Sequence, residues 1–201
     1  IIGGQVAPSE QVLPSPVVVD SGKEYGTWVW VAPIDMTEEY KNTVINGAAA
    51  NKINTIYVTI DSYLNIFSLG EGPEKEAKKK AYSDALESFV KSANAKGIEV
   101  DAEAGWRDWA EPKERYKAYA IVDYIIEYNK TRSAKVRALQ YDVEPYLMSN
   151  YETTKATRLN NFVGLIDETV KKMSGSNLRF SIVIPHFYDD RQKWTPSFNY
   201  N

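Results

Sequence analysis

The 201-residue sequence predicts a parallel α/β fold of the (β/α) barrel type. Three observations point there. Short runs of β-branched and aromatic residues alternate with longer segments of helical spacing. The alternation repeats down the chain, which implies parallel strands joined by right-handed crossovers. The turn after the first strand, Ala32-Pro33-Ile34-Asp35, has no glycine, and neither G-x-G-x-x-G nor G-x-x-x-x-G-K-S/T occurs. An open nucleotide-binding sheet usually carries such a turn. An open parallel α/β sheet of another kind stays the alternative.

In chain order, the first strand is Thr27–Val31 (TWVWV), and a helix from about Thr37 to Lys52, weakened by Gly47, follows it. The second strand is Asn54–Ile60 (NTIYVTI). Pro73 opens the second helix, where its missing N–H is harmless. Ala77, Ala81, Ala85, Phe89 and Ala93 form one face of that helix, and Gly97 stands where a helix stop belongs. Lys78, Lys79 and Lys80 read as its solvated face. The third strand is Ile98–Ala104 (IEVDAEA), with a helix from roughly Pro112 to Tyr128 after it. The fourth strand is Val136–Tyr141 (VRALQY). Leu159, Phe162, Val163, Ile166, Val170 and Met173 then make an apolar helical stripe that Gly175 ends. Leu178–Ile184 (LRFSIVI) is the fifth strand.

Composition excludes several classes of function. Hydrophobic residues make up 43% and charged residues 25%, which is ordinary for a globular chain. No apolar run approaches the roughly 18 residues of a membrane-spanning helix. A net charge of −3 without a Lys/Arg block argues against a nucleic-acid partner. The absence of Cys excludes disulfides, thiol catalysis and Cys-ligated zinc. "IIGG" at the start resembles a processed trypsin-like protease, but the lone His is His186, and no serine-nucleophile motif follows it. Residues 5–24 carry Pro8, Pro14 and Pro16 among polar residues, so residues 1–25 read as an extended linker before a barrel portion at 26–201. A Cys-free, Tyr-rich chain with a leading linker suits an exported bacterial protein, secreted or held at the cell surface. Asn129-Lys130-Thr131 matches a glycosylation acceptor and is taken as chance.

Function in such a fold sits at the carboxyl ends of the strands. Those ends carry Trp30 and Asp35; Asp61 and Tyr63; Trp106, Arg107, Asp108 and Trp109; Asp142, Glu144 and Tyr146; and His186, Tyr188, Asp189 and Asp190. Carboxylates and large rings therefore share one edge, as a sugar site requires. Pyranose faces stack on Trp and Tyr, hydroxyls bond to carboxylates, and a carboxylic acid protonates the glycosidic oxygen. Period two places Gln140, Asp142 and Glu144 on one side of the fourth strand. Two carboxylates about 7 Å apart repel, so one holds a proton, which is how a Glu becomes a general acid. Alternatively, Asp142 caps the next loop and Glu144 pairs with Arg107 or Lys155. Glu99, Asp101 and Glu103 share a face of the third strand, where Asp101 and Glu103 point into a polar interior or Glu99 lies at the exposed bottom rim. A support role suits Glu103 better than a catalytic one. Trp106 and Trp109 read as a sugar platform, with core packing as the alternative. His186 orients a substrate hydroxyl or is a hydrogen-bonded core residue. Helix-spaced metal ligands such as H-E-x-x-H are absent, so neither metal nor cofactor is expected.

Several pieces resemble a group of bacterial glycoside-hydrolase-like TIM barrels: Gly26-Thr27-Trp28-Val29-Trp30, Gly97-Ile98-Glu99-Val100, Ala104 to Trp109, Asp142-Val143-Glu144-Pro145-Tyr146, and Ile184 to Asp189. The segment after the fourth strand is also similar to the chitinase-superfamily signature D-x-x-D-x-D-x-E. Asp142 and Glu144 match its last two acids, while Arg137 and Gln140 replace the first two. The resemblance implies Glu144 as general acid and Asp142 as its partner. The expected function is a glycoside hydrolase acting on a polysaccharide or other glycan. Trp30, Asp61, Tyr63, Trp106, Trp109, Tyr146, His186 and Tyr188 would line its substrate site. A non-catalytic carbohydrate-binding barrel at the cell surface is the alternative. The five strands recur about every 38 residues, so eight units need roughly 300 residues, against about 250 for a usual barrel. The expectation is five units of eight, completed by a missing C-terminal part or a partner chain.

Overall fold

A computed structural model describes residues 23–188. Five parallel strands form one sheet in the order β1-β2-β3-β4-β5. They are β1 Gly26–Val29, β2 Thr55–Thr59, β3 Glu99–Ala104, β4 Ala138–Tyr141 and β5 Arg179–Ile182. The helices are α1 Glu38–Ala50, α2 Tyr63–Phe67, α3 Pro73–Asn94, α4 Arg115–Thr131 and α5 Tyr151–Met173. All five strands lie where the sequence puts them; β1 starts one residue earlier and ends two earlier than expected, and the other four are shorter by one to three residues. Sequence reading misses α2, a single short turn too brief for a period. It also starts α4 three residues early, since residues 112–114 are turns.

The consecutive strand order identifies the architecture. A doubly wound sheet reverses order at a switch point, so that helices cover both faces. Here the order never reverses, and right-handed crossovers stack the helices on one face, as in a (β/α) barrel. On that face Ile56, Val58, Val100, Ala102, Leu139 and Tyr141 are buried against Leu86, Phe89, Val90, Ile121, Ile125, Phe162 and Leu165. The described strands form five consecutive β/α units in the sequential order of a (β/α) barrel, with β1 and β5 at the edges of the sheet.

The opposite face is polar and is ordered in two rows. The lower row runs Trp28, Tyr57, Asp101, Ala138 and Arg179; the upper runs Thr59, Glu103, Gln140 and Ser181. In the lower row the Trp28 and Tyr57 rings stack at 4.9 Å, and Arg137 clamps Asp101 through two hydrogen bonds of 2.9 and 2.7 Å. Glu24 accepts from both Arg137 and Tyr57, so the described end of the proline-rich segment docks on this face. Residues 1–22 of that segment lie outside the described residues. Glu99 is exposed at the start of β3, as the period-two pattern allows.

Several of the 14 tyrosines belong to the core. Tyr63 stacks on Tyr124 at 3.9 Å, and Tyr82 and Tyr128 pack against Tyr124. Three of these buried hydroxyls are satisfied: Tyr82 donates to the Ile60 carbonyl, Tyr128 to that of Ala134 and Tyr141 to that of Ala118. The lysine run on α3 is solvated and ion-paired, with Lys78 on Glu74, Lys79 on Glu127 and Lys80 on Asp84. The Asn129 side chain bonds both backbone groups of Val136, which gives it a structural role.

Candidate active site

A cavity of about 390 Å³ opens over the carboxyl ends of the strands. Four carboxylates line it: Asp61 after β2, Glu103 in β3, and Asp142 and Glu144 after β4. Trp30, Trp106 and Arg107 complete its wall. The exits of β3 and β4 touch closely here. A side chain at Gly105 would place its Cβ 2.1 Å from the Asp142 carbonyl oxygen, so this position needs glycine. The Gly105 N–H donates to Asp61 Oδ1 at 3.1 Å, and the Asp142 N–H donates to the Ala104 carbonyl at 3.1 Å. These bonds fix three strand ends relative to one another.

Glu103 is the deepest of the four, at 1% exposure, and its Oε2 has no hydrogen-bond partner. Burial, reinforced by the charges of Asp61 and Asp142, pushes its carboxyl up to about 8. Asp61 is pushed up to about 6, chiefly by burial, against the hydrogen bond from Gly105 that favours its charged form. Asp142 is raised by burial and by the neighbouring Glu144 charge, and its Oδ1 is buried without a partner. β4 ends at Tyr141, yet the alternation continues into the exit loop because Val143 is buried between Asp142 and Glu144. The Tyr146 hydroxyl donates to Glu144 Oε1. Arg107 lies over the Trp106 ring at 5.0 Å and within 4.0 Å of Asp108, so the expected alternative in which it pairs with Glu144 does not hold.

The structure brings Glu144, Asp142, Asp61, Trp30 and Trp106 together as the sequence predicts. Trp30 and Trp106 are 63% and 55% exposed, Trp106 with Arg107 over one of its faces. Trp109 is buried instead, edge-on to Tyr141, and borders a second, largely apolar cavity of about 490 Å³ with Leu64, Phe67 and Tyr116. The indole pair is therefore split between site and core. Tyr63 is a correction: α2 begins at this residue and turns the ring under α3 and α4, away from the rim. Tyr146 reaches the site through Glu144, with its ring edge-on to Phe187 and Tyr188. His186 is exposed, edge-on to Phe187, on the β5 side. Asp189 and Asp190 lie outside the described residues. Among the described residues no group of three His, Asp or Glu side chains is placed to hold a metal ion, and no helix is long and apolar enough to cross a membrane. Sequence reading gave Glu103 a support role; its period-two partnership with Asp101 was the available signal for its place in the cavity.

No protein-family model matches the chain, and no curated protein matches it. Among solved structures, alanine racemase of Clostridium difficile 630 in complex with cycloserine is similar at 12% identity, with a TM-score of 0.32. That match covers 82% of this chain and 49% of the racemase, so the chain spans about half the length of the protein it matches.

Proposed function

We propose that the chain is a glycoside hydrolase in which Glu144 protonates the glycosidic oxygen and Asp142 is its charge partner. The observation that carries this reading is the gathering of four carboxylates from three strand ends into one cavity between two exposed indoles. Indole faces bind the apolar faces of sugar rings, and carboxylates accept hydrogen bonds from sugar hydroxyls. Cleavage of a glycosidic bond needs a carboxylic acid at the leaving oxygen. Burial and the neighbouring Glu144 charge raise the Asp142 carboxyl, so Asp142 keeps its proton to a higher pH than an isolated Asp does. Tyr146 positions Glu144 by holding one of its two oxygens.

The test begins with a glycan array, followed by product analysis on the glycan that binds. Glu144→Gln is expected to lower its turnover by about 10²- to 10⁴-fold, the usual contribution of a general acid, with the melting temperature unchanged. Intact hydrolysis in this variant would remove Glu144 from the role. Binding without turnover by the unaltered chain would instead identify a carbohydrate-binding barrel.

A further inference from the structure

Among the described residues, the carboxylate cavity carries more negative charge than its one basic lining side chain balances. One row below it, Asp101 shows how this sheet neutralises a buried acid, with Arg137 donating from both Nε and Nη2. Glu103 is buried as deeply, yet its Oε2 lacks a partner, and so does Asp142 Oδ1. Among the described lining residues the basic side chain is Arg107, and it is turned onto Trp106 and Asp108. A buried carboxylate oxygen without a hydrogen bond is costly. A ligand that supplies N–H donors and positive charge removes that cost. Trp30 and Trp106 suit the same ligand, since an indole face attracts a cation and also stacks on a sugar ring.

We infer that the cavity selects a glycan with free amino groups, whose ammonium is held between Glu103 and Asp142 while its ring lies against Trp30 or Trp106. The sugar part of this inference rests on the glycoside-hydrolase reading, whereas the ammonium site rests on the charge geometry. Asp61, Asp142, Glu144 and Arg107 are the charged groups facing Glu103 in the cavity, and Thr59 and Gln140 are its neutral neighbours in the row. Binding of a cation here displaces protons held by Glu103 and Asp61.

The experiment is calorimetric titration of the whole chain at pH 6 with a glucosamine tetrasaccharide and with its fully N-acetylated counterpart. Hydrolysis of both is followed in parallel. The amino form is expected to bind at least about tenfold tighter, the scale of one hydrogen bond to a charged group. Its binding should release protons, read as an enthalpy that varies with the ionisation enthalpy of the buffer. Glu103→Gln should lower affinity for the amino form by about tenfold and leave the acetylated form within about twofold. Asp142→Asn repeats the comparison on a less buried side chain, should Glu103→Gln not fold. Equal or tighter binding of the acetylated form overturns the inference. If that form is also cleaved, the hydrolase reading stands without it. Tight, Glu103-dependent binding of the amino form with no cleavage of any glycan supports the ammonium site and overturns the hydrolase reading instead.

Discussion

Replacing Glu103 with Gln tests the electrostatics of the cavity in the absence of any ligand. The side chain is 1% exposed, and its carboxyl sits at about 8 where an ordinary Glu sits at 4.5. The sign follows from linkage. Between 4.5 and about 8 the folded chain holds a proton that the unfolded chain has lost, so wild-type stability falls as pH rises through that window and levels off above it. At about 1.36 kcal/mol per pH unit, the interval bounds the loss at about 5 kcal/mol. Part of it comes from the Asp61 and Asp142 charges, which relax when the cavity takes up water, so about 2–3 kcal/mol is the expected loss. Gln keeps the shape and cannot ionise. Chemical denaturation at pH 5 should therefore give wild type and Glu103→Gln within about 1 kcal/mol of each other. At pH 8.5 the variant should be more stable by about 2–3 kcal/mol, or roughly 4–12 °C in melting temperature for a chain of this size. A difference that is the same at both pH values would refute the argument, because it would mean that Glu103 does not change ionisation in that window.

Four further outcomes follow from other parts of the structure. Arg137→Met should destabilise by about 3–5 kcal/mol in denaturant titration, because Asp101 is 2% exposed and would lose its buried charge partner. Gly105→Ala forces apart the exits of β3 and β4, where the added Cβ meets the Asp142 carbonyl. It should lower stability by about 1–3 kcal/mol, the usual scale of overpacking, and reduce ligand affinity at the same time. Trp30→Ala and Trp106→Ala should each weaken binding of the array-selected glycan by roughly tenfold while leaving the melting temperature within about 2 °C, since both rings are exposed. Tyr63→Ala should do the reverse, with a loss of about 3–5 kcal/mol in stability and unchanged affinity of the folded chain, because its ring is stacked in the core.

The parts of this molecule that were legible in sequence are those that repeat. Parallel strands buried on one face keep a period of two, and long helices keep an apolar stripe. The five strands and the four long helices were therefore all found. The helix α2 was not, because five residues cannot display a period, and missing it put Tyr63 at the rim when it belongs beneath α3. The same limit split Trp106 from Trp109. Residues three apart in a loop share no fixed face, and the single turn Arg107–Ala110 buries the second indole while exposing the first. The D-x-E spacing was readable because strand alternation persists for three residues past the end of β4, anchored by Val143. The position of Glu103 was harder to judge, because its environment comes from Asp61 and Asp142, which are 42 residues before it and 39 after it in the chain.

The two polar rows of the sheet show why Glu103 and Asp101 differ in role although they are two residues apart on one strand face. The lower row completes its own interactions: the Trp28 and Tyr57 rings stack, and Arg137 joins Asp101 to Glu24. Arg137 and Glu24 complete that row from beside it, and together these contacts tie β1 through β4. The upper row places Glu103 between Thr59 and Gln140, and Gln140 turns to the Trp28 indole N–H and to Ser181. An acid with only neutral neighbours in its row and more acids above it lowers the stability of the fold at neutral pH, and the Thr59 hydroxyl offsets only part of that loss. An arginine reaching across from beside β4, as Arg137 does one row below, would have offset it. Such an arrangement becomes favourable once a ligand brings the missing donors. On the proposed reading, ligand recognition belongs to the upper row and the exits above it, and structural closure to the lower.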